Sequence, residues 1–290
     1  MTLRRSFSGA KPHVEVPSGT IDTQLHMYLP EYPSQPGGPP LPEGLPGPDD
    51  YRHVMKWLGI DRFVVTQGNA HQSDNENLLA CLSRFGDECR GVAVVTAETP
   101  DDEIARLHDS GVRGARIMDL PGGAVGLSRL QEVDARVLDV DWCIAVQFDG
   151  SRLLEHLPLL QRIRSRFIID HHGKFLSGTT PDSAEVHAIE ALIDRGNCWF
   201  KLAGCYESSI AGPPGYHDVA AVAREIAAYA PDRIVWGTNW PHNLVKRTED
   251  YPDDAELMDT VLGWLPSDEA RHRALVDNPE ELFRFPRWRE

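Results

Sequence analysis

Eight short runs rich in apolar and β-branched residues recur along this chain, at 19–26, 62–69, 91–95, 114–120, 142–148, 167–172, 199–204 and 233–239. Between them lie stretches of helical periodicity at 51–58, 75–85, 101–110, 127–139, 152–164, 183–195, 217–229 and 255–265. A strand that must pair in parallel with the next needs a crossover of about a dozen residues or more, and a helix supplies it. Eight such units predict a single closed (β/α)8 barrel of the α/β class over residues 19–290, and 290 residues is an ordinary length for that fold. Asp74, the 100–102 Pro-Asp-Asp and Ser267 stand where helix caps are needed, the last before a short helix at 268–276. Residues 1–18 carry Arg4, Arg5 and Lys11 with no apolar stretch behind them, so they read as a tail and not as a targeting segment.

One segment departs from the rhythm. Residues 30–48 are crowded with Pro and Gly and fall between the first strand and the first helix. In a barrel this loop leaves the carboxyl end of its strand, the face that carries active sites. It is expected to form a lid or wall of a pocket, or else a clamped surface loop.

The formal net charge of −15 argues against a nucleic-acid or anionic-membrane partner, and no apolar run approaches the length of a membrane span. A cytoplasmic protein is the expectation, with homo-oligomerisation left open. The five cysteines, Cys81, Cys89, Cys143, Cys198 and Cys205, are an odd number with no two-residue spacing, which fits neither a disulfide framework nor a zinc ribbon. Buried thiols are expected.

Polar groups gather at the strand ends. The first strand offers Gln24 and His26, followed by Tyr28; the second, Gln67 and Asn69, with His71 beyond; the fourth, Arg116 and Asp119. Later ends supply Gln147, Asp149, His171, His172, Lys174, Lys201, Tyr206, Asn239 and His242. Each alone could merely satisfy a loop backbone, but together they would converge on one mouth. A period of two puts His171 on the face shared by Phe167 and Ile169, taken here as the inward one, with Asp170 and His172 supporting the turn. His71 and His242, in loops, are expected to be solvent-exposed. Arg116 lies inside an otherwise apolar strand, where a guanidinium needs either a structural partner or a substrate carboxylate.

These segments also resemble a known family. The Asp22-Thr23-Gln24 and His26-to-Pro30 run, residues 66–72, 116–123, 146–150, 170–174 and 236–242 are similar to the amidohydrolase superfamily, in the branch of the metal-independent 2-pyrone-4,6-dicarboxylate lactonases. The resemblance runs from Asp22 to about Phe283. Metal-bearing members use a His-x-His pair on strand one, His on strands five and six, and Asp on strand eight. Here the matching positions hold Gln24, Gln147 and Asn239, leaving His26 and a strand-six His, short of the three protein ligands of a catalytic zinc. No metal and no cofactor are therefore expected.

The lactonase branch keeps the strand-eight Asp as general base for water, and Asn239 departs from it. An amide is not a useful proton acceptor, whereas a hydroxyl tethered within the substrate can react with an effective molarity of roughly 10⁵–10⁸ M. The resemblance thus implies a small-molecule partner, a sugar-diacid lactone, rearranged from its 1,5- to its 1,4-form by intramolecular acyl transfer. His171, His26 and Asn239 would serve the chemistry, Arg116 with Lys174 would hold the free carboxylate, and Gln24, Tyr28, Gln67, Asn69 and Gln147 would bind hydroxyls. Lactone hydrolysis through another base, and sugar-acid binding without catalysis, are the alternatives.

Overall fold

The computed structural model describes residues 3–289. Eight strands pair in parallel and in sequential order: β1 (Ile21–Leu25), β2 (Arg62–Thr66), β3 (Cys89–Ala93), β4 (Val112–Met118), β5 (Cys143–Gln147), β6 (Phe167–Ile169), β7 (Cys198–Leu202) and β8 (Ile234–Trp236). A parallel bridge between Leu25 and Trp240, with the His26 N–H donating to the Trp240 carbonyl at 2.9 Å, draws the last strand's exit to the first. The expected barrel is present. The crossover helices are α1 (Pro48–Leu58), α2 (Glu76–Leu82), α3 (Asp101–Asp109), α4 (Leu130–Leu138), α5 (Leu153–Leu160), α6 (Ala184–Ile193) and α7 (His217–Tyr229). After β8 come α8 (Asp254–Leu262), α9 (Asp268–His272) and α10 (Asn278–Phe283).

Every strand position but Arg113 and Met118 is buried, because side chains leaving a parallel barrel meet helices on one face and one another on the other. Ile21, Val64, Val92, Ala145, Ile168, Trp199 and Val235 fill the interior, and Leu282, Phe283 and Phe285 from the C-terminal segment plug its lower end. Arg62 and Glu280 form a buried ion pair there at 2.7 Å. A larger apolar layer, including Tyr51, Phe63, Leu107, Ile144, Phe200 and Ile226, lies between barrel and helices.

The regular strands are shorter than the apolar runs of the sequence suggest. β6 stops at Ile169 and β8 at Trp236, so His171 and Asn239 belong to turns and not to strands. The helix expected at 268–276 becomes α9, a wider turn at Arg273–Asp277 and α10.

Residues 3–18 form no regular element, yet they are not a loose tail. Ala10 accepts from the Trp57 indole at 2.6 Å on α1, Asp259 on α8 accepts the His13 and Val14 N–H groups, and Phe7 meets Trp240 edge to face. Trp57 and Asp259 thus anchor the strap along the seam between the first and eighth helices. The 30–48 loop is also tied down: the Gln35 N–H donates to the Ala70 carbonyl at 2.7 Å, and a Cβ at Gly38 would meet the Asn69 and Ala70 carbonyl oxygens at 2.6 and 2.7 Å.

Asp22 locks β1 to β8 and α1. Its carboxylate accepts from the Tyr51 and Thr238 hydroxyls at 2.7 and 2.5 Å and from the Gln24 and Thr238 N–H groups, both at 3.0 Å. Burial still pushes this carboxyl up to about 6. Asp22→Ala strands those buried donors, at about 1–3 kcal/mol each for the ones that find no new partner. The expected loss is about 4 kcal/mol, read by thermal or urea unfolding as a fall of roughly 10 °C in Tm.

All five thiols are buried, and burial pushes Cys81, Cys89 and Cys205 up to about 12 and Cys143 up to about 11. Because the thiolate is the reactive form, a disulfide reagent such as DTNB is expected to titrate no thiol in the native protein and all five after denaturation.

Candidate active site

A cavity of about 300 Å³ opens at the carboxyl end of the barrel, within the size range of small-molecule sites. His26, Tyr28, Asn69, Arg116, Met118, Gln147, His171, Lys174, Glu207, Asn239 and Asn243 line it. Pro39 to Glu43 of the long loop form one wall, and Leu3 and Arg5 of the N-terminal strap reach the rim. Eight of the ten residues singled out from sequence meet here.

Gln24 and Gln67 do not. Gln24 Oε1 accepts from Lys201 Nζ at 2.9 Å and Thr66 Oγ1 at 3.3 Å below the cavity, while Gln67 Nε2 donates to the Gln72 and Asp74 carbonyls at 3.2 and 2.6 Å. The first braces β1 against β7 and the second holds the loop after β2. Neither lines the cavity.

Arg116 rises from β4 into the cavity, 5% exposed. It donates to the Gln67 carbonyl at 2.9 Å, to Asn69 Oδ1 at 2.7 Å and to Gln147 Oε1 at 3.1 Å. All three acceptors are neutral. Burial lowers its pKa, but a guanidinium stays protonated under any ordinary condition. The fork is thus held in place while its charge makes no ion pair among the described residues. Asn69 and Gln147 hold Arg116 first, and whatever they offer a ligand comes second.

Lys174 is different, because its Nζ is 2.6 Å from Glu207 Oε2 and the two charges largely cancel. Its expected role as partner to Arg116 on a carboxylate is weakened by that pairing. Below the floor, Asp170 and Lys201 form a second, fully buried pair at 3.2 Å. Burial pushes the Asp170 carboxyl up, but Lys201, His171 and Arg116 together hold it well below the usual range.

His171 reaches the cavity by a route that alternation does not give. Ile168 belongs to the barrel interior, whereas Phe167 and Ile169 pack outward, so a continued strand would point His171 away. The strand ends instead, and His171, His172 and Lys174 take left-handed backbone with φ of 50°, 54° and 45°. Such conformations are uncommon outside glycine and gather at functional sites. His172 turns away to stack edge-on against Trp264, and burial pushes its pKa down to about 3. His71 and His242, expected in solvent, are buried instead; His242 is bridged to Asp254 at 3.0 Å and to Tyr206 at 2.7 Å.

The two cavity imidazoles have opposite hydrogen-bond polarity. His26 Nδ1 lies 2.8 Å from the Thr66 carbonyl, which can only accept, so Nδ1 carries the proton and Nε2 is left as an acceptor. Burial, aided by Arg116, pushes its pKa down to about 3 and keeps it neutral. His171 Nε2 instead faces Asn239 Oδ1 at 3.2 Å, which can only accept, so Nε2 donates to it, while Nδ1 lies 3.2 Å from Asp170 Oδ1. Gly204, at φ 64°, clears the space: a Cβ there would stand 2.6 Å from Asn239 Nδ2 and 3.3 Å from His171 Cδ2.

Sequence reasoning missed Glu207. It follows β7 on a short turn at Cys205–Glu207, directly after Tyr206. The rule that locates sites at strand ends would have reached it three residues past Gly204.

The donor set does not fit a catalytic zinc. Two imidazoles remain where superfamily metal centres recruit more ligands, one with its Nδ1 committed to Thr66, and amides hold the other positions. Among the described residues no group of three or more His, Cys, Asp or Glu side chains is arranged to hold a metal ion.

A (β/α)8 barrel with a polar cavity built from its strand-end loops defines an enzyme-type site on a hydrolase scaffold. The amidohydrolase family model matches residues 21–285, and the chain belongs to that family. It is 59% identical over 284 residues to a D-galactarolactone isomerase of Agrobacterium fabrum, covering 98% of this chain and 97% of that protein. A 2-pyrone-4,6-dicarboxylate hydrolase of Comamonas testosteroni is 29% identical over 290 residues, 94% of this chain and 93% of the relative. A crystal structure of an Agrobacterium tumefaciens protein, solved without ligand, superposes with a TM-score of 0.96 at 58% identity, over 98% of this chain and 100% of that one.

Proposed function

We propose that this chain isomerises a sugar-diacid lactone, D-galactaro-1,5-lactone, to the 1,4-lactone without a metal, within cytoplasmic galacturonate breakdown. The 59% identical relative is a D-galactarolactone isomerase, and the site supports that class of chemistry here. In the reaction the C4 hydroxyl oxygen bonds to C1, the C1 to O5 bond breaks, and one proton moves from O4 to O5. No water is consumed. His26 Nε2 is the acceptor for the entering hydroxyl's proton, His171 Nε2–H the donor toward the carbonyl or the leaving oxygen, and Arg116 the fork for the C6 carboxylate.

The carrying observation is the state of the groups beside His171: an amide, and a carboxylate whose two oxygens are both engaged. The β8 exit presents Asn239, and Glu207 has both oxygens occupied, one by Lys174 at 2.6 Å and one by Asn239 at 2.9 Å. Burial pushes the Glu207 carboxyl up, but His171 and Lys174 more than offset it, so it sits below the usual range and stays an ionised acceptor for Lys174 and Asn239.

NMR of the purified protein with freshly made 1,5-lactone tests the reading. New 1,4-lactone ahead of the uncatalysed rate is expected. Open diacid as the main product would instead make this a lactonase, and unchanged lactone with shifted protein signals would make it a binding protein.

A further inference from the structure

The geometry points to Glu207 as a positioning residue: with Tyr206 it holds the Asn239 amide with its oxygen on His171, and so sets His171 Nε2 as a proton donor. For its kinetic consequence this rests on the isomerase reading above; for its structural content it does not.

The direction of each bond follows from what each group can do. A carboxylate only accepts and an ammonium only donates, so Lys174 takes Glu207 Oε2 and the Asn239 atom 2.9 Å from Glu207 Oε1 must be the amide nitrogen. The same nitrogen donates to the Tyr206 hydroxyl at 2.8 Å. Tyr206 can accept because its own proton goes to His242 Nδ1 at 2.7 Å, and His242 Nε2 in turn donates to Asp254 at 3.0 Å. Both Asn239 protons are therefore spent, and its oxygen faces His171 Nε2 at 3.2 Å. His171 Nδ1 lies 3.2 Å from Asp170 Oδ1 without hydrogen-bond geometry, so the acceptor at Asn239 is what keeps a proton on Nε2.

The site also shows why an Asp at position 239 would not simply restore a hydrolase. It would set a second carboxylate about 2.9 Å from Glu207, where like charges cannot both stay ionised without cost. The two positions work as a matched amide and acid.

Glu207→Gln breaks the match. Lys174 claims the Gln oxygen, the Gln nitrogen then meets the Asn239 nitrogen, and the clash resolves only if Asn239 turns its oxygen away from His171. The kcat is expected to fall about 10²-fold, the scale of a general acid or base. KM should be unchanged or lower, because an uncompensated Lys174 favours an anionic substrate. The double variant Glu207→Gln with Asn239→Asp again offers an acceptor to His171 and a matched pair at 207 and 239. It is expected to regain at least tenfold in kcat over Glu207→Gln alone.

Selective ¹⁵N-histidine labelling of ligand-free protein, with His171→Gln for assignment, reads the claim without activity. His171 Nε2 should be protonated in the parent, lose that proton in Glu207→Gln and recover it in the double variant, with circular dichroism confirming that each folds. A His171 Nε2 unprotonated in the parent, or a Glu207→Gln protein with unchanged Nε2 shift and parental kcat, overturns the inference. A double variant no better than Glu207→Gln in either readout does the same.

Discussion

Arg116→Gln is expected to lower kcat/KM for the lactone by about 10³-fold, most of it in KM, with no loss of stability. The guanidinium is 5% exposed, and its three hydrogen-bond partners are a backbone carbonyl and two side-chain amides. Among the described residues no carboxylate lies at hydrogen-bond distance from it, so its neutral partners offset only part of the cost of burying the charge and the folded protein carries the rest until an anion arrives. Removing one partner of a buried charge pair costs about 2–5 kcal/mol, which sets the size of the effect. A structural ion pair would behave otherwise, since losing it lowers Tm. The variant should melt at or above the parent temperature. Arg116→Lys keeps the charge but not the two-pronged geometry and should fall between the two. Steady-state kinetics with thermal unfolding decide it: a variant that loses Tm in step with activity, or keeps its KM, removes Arg116 from substrate binding.

His171→Gln and His26→Gln are each expected to lower kcat by about 10²–10⁴-fold while KM moves little. One imidazole is fixed as acceptor by the Thr66 carbonyl and the other as donor by Asn239, so a single proton can leave O4 at one and reach O5 from the other. Because the two serve one transfer, the double variant should lose far less than the product of the single losses. Rates that multiply, or a His26 variant with parental kcat, would separate the pair and assign the proton's path elsewhere.

The barrel could be read from the chain because its determinants are local. Eight apolar runs of strand length, each followed by a helical period, leave few other ways to bury both faces of every strand. The mouth was readable for the same reason: once the strands are placed, Tyr28, Asn69, Arg116, Gln147 and Asn239 lie at or just past their carboxyl ends. Gln24 and Gln67 lie at the ends too, yet packing turned them into braces through Lys201 and the Asp74 carbonyl, partners distant in sequence or set by a loop's path. His171 shows the limit of periodicity. Its position in the cavity comes from a left-handed turn after β6 that no alternation rule contains.

What the chain determined alone was the scaffold, the face that carries the chemistry and the amide at 239 in place of an acid, since residue type and strand spacing suffice for each. Tertiary structure alone decided which charges are already matched and which way each hydrogen bond runs. Lys174 is neutralised by Glu207, and Arg116 meets only neutral acceptors among the described residues, because loops from different strands come together over the cavity. A donor's direction depends on the partner folding delivers to it, and that partner comes from a segment 32 residues away for Asn239 and Glu207 and 68 for His171 and Asn239.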